Sequence, residues 1–171
     1  MSIIVSEGKK TPPHPVGQYP AICIDVIDRG IVETQFGNKH KIIVRFFCGE
    51  FFKNDDDKDV PHYIGQQFTA SLDERANLRK FLQAWRNRAF TPEELKGFDL
   101  EVLLGIPALL SISLNDEGTY ANIDGCMRLP KEMNAPKKPD GYVRAKDRDN
   151  AGQNGSGQPG REPGEDDDLP F

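Results

Sequence analysis

The sequence predicts a mainly β fold, on three observations. Apolar and polar residues alternate with a period of two through several separate stretches. Only one long stretch changes to a helical period. Glycine, asparagine and aspartate punctuate the intervals between them. Strand character begins at Tyr19, where Ile22, Ile24 and Val26 alternate with Cys23 and Asp25. Asp28-Arg29-Gly30 and Gly37-Asn38 are turn signals. A second strand is expected over His40–Cys48, with Ile42, Val44, Phe46 and Cys48 on one face and Lys41, Ile43, Arg45 and Phe47 on the other. Gly49–Asp59 reads as a charged loop. Tyr63–Ser71 reads as a third strand with Gly65 at a bulge.

Ser71-Leu72-Asp73-Glu74 has the form of a capping box. Leu78, Phe81, Leu82, Trp85 and Ala89 then recur at helical spacing, predicting a helix over residues 73–89 with Trp85 in the core. Thr91-Pro92-Glu93-Glu94 is a second cap with proline at the first helical position, and Gly97 closes that short helix. Leu103–Leu114 and Tyr120–Met127 return to strand character around the turn Asn115-Asp116-Glu117-Gly118. Three strands, a helix and two strands is the order of a five-stranded OB-type barrel with its helix between strands three and four.

Composition bounds what such a chain can be. It has 171 residues, 37% of them hydrophobic, enough for one modest core. No apolar run approaches the roughly 20 residues of a membrane-spanning helix, and residues 1–15 lack the pattern of a signal peptide. Cys23, Cys48 and Cys126 are odd in number and lie in strand-like runs, so buried free thiols in a reducing compartment are expected. The net charge of −5 comes from the end of the chain. Glu162, Glu165, Asp166, Asp167 and Asp168 are five acids in the last ten residues, which hold no Lys or Arg, and residues 1–161 balance at 22 of each sign.

The domain organisation expected is an arm over residues 1–17, an OB-type domain over 18–130, a disordered linker over 131–161 and an acidic tip over 162–171. The linker is rich in glycine, proline, glutamine and asparagine, with no apolar period. The tip closes on Asp166-Asp167-Asp168-Leu169-Pro170-Phe171, where a ring and the terminal carboxylate share one residue. A partner pocket with an apolar floor and a basic wall suits both groups.

That tip is similar to the acidic, Phe-terminated tip of bacterial single-stranded-DNA-binding proteins, which also follows a linker of this composition. The resemblance implies recruitment of replication, recombination and repair proteins through Pro170 and Phe171. In the body, Tyr19–Asp28, Ser71-Leu72 with Asn77-Leu78-Arg79-Lys80, Trp85–Thr91, Glu94–Leu100 and Tyr120-Ala121-Asn122-Ile123 resemble a family of small phage or prophage proteins associated with OB-type single-strand binding. This likeness spans roughly residues 19–130. It implies DNA binding in the cytoplasm of a bacterial host, and a monomer or dimer rather than a tetramer.

Binding a single strand without sequence preference needs cations for the phosphates and rings for the bases. Lys41, Arg45 and Phe47 share the outward face of strand two, with Phe36, Lys39, Lys53 and Tyr63 near it and Tyr120 on strand five. These eight residues are the expected DNA contacts. The helix cations Arg75, Arg79, Lys80, Arg86 and Arg88 read as a solvated face. A metal-dependent nuclease centre at Asp55–Asp59 with His62 is disfavoured, because the acids are consecutive in one loop with Lys58 interleaved and Lys53 just before them. No cofactor and no enzymatic activity are expected. The rival reading is an adaptor or inhibitor that uses the tip to occupy a host replication or repair protein without binding DNA.

Overall fold

The computed structural model describes residues 11–150. Asp166–Phe171, and with them the expected tip, lie outside the described residues. Five strands form one antiparallel sheet: β1 (Gly17–Thr34), β2 (Gly37–Lys53), β3 (Asp59–Thr69), β4 (Pro107–Leu114) and β5 (Ala121–Met127), in the spatial order β3-β2-β1-β4-β5. Between β3 and β4 lie the helices α1 (Asn77–Arg86) and α2 (Pro92–Lys96) and a 3₁₀ turn at Leu100–Leu103; a last helix, α3, spans Ala145–Asn150. The fold is therefore mainly β, as the alternating patterns predict. The sheet is open. Its edge strands β3 and β5 touch, and α1 packs against both, but no ladder of hydrogen bonds joins them.

The core lies between the inner face of the sheet and α1. Val44, Phe46, Leu82, Trp85, Leu103 and Leu110 are fully buried there. The Trp85 ring sits 5.2 Å from that of Phe46, and its indole N–H donates to the Pro107 carbonyl at 2.9 Å. The expected capping box at Ser71 does not form. Ser71 Oγ instead accepts from the Asp73 N–H at 3.1 Å, and the helix starts four residues later than expected, at Asn77 behind an uncapped Ala76. A missing cap costs about 1 kcal/mol. Burying Leu78 and Leu82 returns roughly 1.5–3 kcal/mol each, so the apolar stripe decides where the helix lies. The box at Thr91 and Glu94 does form, with both reciprocal bonds present.

A bulge in β1 corrects the expected face of that strand. Cys23 pairs with Phe46 and Asp25 with Arg45, leaving Ile24 as the extra residue. Ala21 and Cys23 therefore join the main core cluster, Ile24 is buried outside it, and Asp25 comes to lie on the outer face beside Arg45. Gly65 is not a bulge. It pairs in register with Arg45, and a side chain there would meet Ile43 Cγ2 at 3.0 Å and the Val44 carbonyl at 3.1 Å. All three cysteines are buried and free. Burial pushes the Cys23 and Cys48 thiols up to about 12, and Cys126 also upward. Among the described residues no helix is long and apolar enough to cross a membrane.

Candidate nucleic-acid interface

The outer face of β2 and β3 is built by their pairing. Ile43 stands opposite Gln67, Arg45 opposite Gly65 and Phe47 opposite Tyr63, all on the side away from the core. Three hollows run along this face. The largest, about 570 Å³, is lined by Ile43, Arg45, His62, Tyr63 and Gln67 among others. A second, about 440 Å³, shares Arg45, Pro61 and Tyr63 with the first and is walled on its far side by Tyr142 and Arg148. The third, about 400 Å³, shares Gln67 with the first and is lined by Lys41, Gln66, Thr69 and Arg75. Neighbouring hollows share lining residues and so lie side by side as one track along this face.

Three of the eight expected contact residues line this track. Lys41 holds its ammonium against Thr69 Oγ1 at 2.7 Å. Arg45 Nη1 donates to the Tyr142 hydroxyl at 3.4 Å, and the Tyr63 ring meets the Tyr142 ring edge-on at 5.0 Å. Phe47 shares the outer face but is buried, with its ring 5.7 Å from Phe51 and 6.0 Å from Tyr63. It supports the rings around it rather than offering its own face, a correction to the expected outward ring. Phe36 and Tyr120 sit at hairpin tips, 80% and 71% exposed, and line none of the three hollows. Nor do Lys39 and Lys53; Lys53 is ion-paired with Asp59 at 3.0 Å.

Other residues were missed at the sequence level. Arg75, expected on the helix, precedes it and lines the hollow with Lys41. His14, in the arm, is buried against Tyr19 and His62, with ring centroids at 5.2 and 5.1 Å. Burial, with His14 adjacent, holds the His62 imidazole below its ordinary value and so neutral. In the charged loop, Asn54 Oδ1 accepts from the Asp56 and Lys58 N–H groups. Among the described residues no group of three or more His, Cys, Asp or Glu is placed to hold a metal ion.

The largest departure from expectation lies in residues 136–148, which composition assigns to a linker. Pro136 passes over Gly49, where an added Cβ would lie 3.6 Å from it. Tyr142 and Arg144 then reach Asp25, which is fully buried. One Asp25 oxygen accepts from the Tyr142 hydroxyl at 2.8 Å and the Ala145 N–H at 2.9 Å; the other accepts from Arg144 Nε at 3.1 Å. Arg144 also forks onto Glu101 at 2.7 and 3.1 Å. Burial alone would raise the Asp25 carboxyl. The Ala145 N–H, Tyr142 and Arg144 outweigh it and hold the group below its ordinary value. Residues 136–148 are thus a strap tied across the outer face.

No protein-family model matches the chain, and no curated protein matches it.

Proposed function

We propose that the protein binds single-stranded DNA without sequence preference and without catalysis, as a phage-type single-stranded-DNA-binding protein with an OB-type body. The track of linked hollows along β2 and β3 carries this reading. It sets Arg45 beside the Tyr63 ring in the first two hollows and Lys41 and Arg75 in the third, with Gln67 shared between the first and third. Cations along a groove with a ring to stack on is the chemistry a single strand requires, at roughly 1–3 kcal/mol per stacked base. The strand order, with a helix between β3 and β4 packed on both sheet edges, supports an OB-type body. Phe36 and Tyr120 offer two further rings on the hairpins.

In this reading the protein works in the bacterial host cytoplasm as a monomer or dimer. The tip Asp166-Asp167-Asp168-Leu169-Pro170-Phe171 recruits replication, recombination or repair proteins. The decisive experiment is a titration of the full chain with labelled oligo-dT at low salt. Saturable binding is expected, with affinity falling on a log–log salt plot by roughly 0.7 per phosphate contact. No binding at low salt overturns the reading in favour of the adaptor or inhibitor, which needs only the tip.

A further inference from the structure

We propose that the strap over residues 136–148 is a wall of the nucleic-acid track, contributing Lys138 and Arg148 to the phosphates and the Tyr142 ring to the bases. This rests on the reading of the β2–β3 face as a single-strand surface. Three observations support it. The second hollow lies between sheet and strap: Arg45, Pro61 and Tyr63 form one side, Asp140, Gly141, Tyr142, Val143 and Arg148 the other. The Tyr142 ring borders the second hollow with two cations close to it, Lys138 Nζ and the Arg148 guanidinium each 5.8 Å from its centroid. Residues 137–148 hold five Lys and Arg against two Asp, and the balance of charge over residues 1–161 includes this local surplus of bases.

That charge separates a wall from a lid. A segment that occluded a polyanion site would compete best by presenting carboxylates to the same cations. This strap lines the hollow with one carboxylate, Asp140, and one guanidinium, Arg148, and with Lys138 over the Tyr142 ring it is net cationic, so it extends the field of Lys41 and Arg45. The clamp of Asp25 and Glu101 with Arg144 and Lys146 is charge-matched within itself. Arg148 lines the hollow and Lys138 stands over the Tyr142 ring, and both are exposed.

The test compares full-length wild type with Lys138→Glu/Arg148→Glu and a control, Lys96→Glu/Lys131→Glu, of equal charge change at exposed sites that line none of the hollows. Oligo-dT affinity is read across a salt series, with thermal melts confirming the fold. The wall variant should lose most of its low-salt affinity, and its log–log slope should flatten by about 1.4, two contacts at roughly 0.7 each. The control should change the slope little. Wild-type binding that survives the wall variant with unchanged slope overturns the wall, and tighter binding overturns it in favour of a lid. Absence of binding by wild type itself overturns the underlying reading, and the two failures are thereby distinct.

Discussion

Gly65 shows how one residue shapes the outer face. Its backbone is ordinary extended strand, so conformational freedom is not the reason for glycine there. The reason is space: Ile43 Cγ2 and the Val44 carbonyl would lie 3.0 and 3.1 Å from a Cβ, and the carbonyl belongs to a paired strand that cannot swing away. Gly65→Ala is expected to destabilise the protein by about 1–3 kcal/mol, the usual cost of overpacking. Urea unfolding checks this, and an unchanged or raised midpoint would refute it. The sequence marks Gly65 as special but not why, because the crowding comes from β2, some twenty residues away in the chain. Arg45 was legible on the outer face because a period of two assigns a face directly. Phe47 was misread because periodicity places a ring on a face without saying what lies over it.

At the scale of elements, legibility follows the kind of force. The strands and α1 are held by apolar burial, which leaves a period, and their order was readable. The bulge at Ile24 has no such mark and shifted one strand by a residue. The strap is held by hydrogen bonds and ion pairs to Asp25, more than a hundred residues earlier, and its prolines, glycine and lysines carry no apolar period. It therefore read as linker. Its attachment has a pH dependence with a definite sign. Docking holds the Asp25 carboxyl below its ordinary value. The stabilisation is thus complete above the unfolded value of about 3.9 and is lost as pH falls through the lower, docked value. Tyr142 ring signals in an NMR titration should keep their docked positions from neutral pH down to about 4 and move to free positions only in stronger acid. Asp25→Asn should show the free positions already at neutral pH. Release of the wild-type strap near neutrality, or a docked strap in Asp25→Asn, would show that the carboxylate is not what holds it.

For the whole molecule, the distribution of charge matters more than its sum. Residues 1–161 balance, yet Lys41, Arg45 and Arg75 gather along one track with Lys138 and Arg148 on its border. The surplus of five acids belongs to residues 162–171. A polyanion approaching the track is drawn by the local cations and repelled by those acids, and the two effects differ in range. Contacts at the track act over a few ångströms and persist in salt. Repulsion from the terminal acids acts at a distance and is screened, with a Debye length falling from about 30 Å at 0.01 M to about 8 Å at 0.15 M. Deleting residues 162–171 is therefore expected to tighten oligo-dT binding several-fold at about 0.01 M salt, and the gain should shrink toward nothing at about 0.15 M. Parallel titrations of full-length and truncated protein read this directly. A truncation that weakens binding would mean the terminal segment itself contributes to the bound state. A gain that persists undiminished at the higher salt would mean that the acids sit in contact with the track's cations, because only close pairs escape screening.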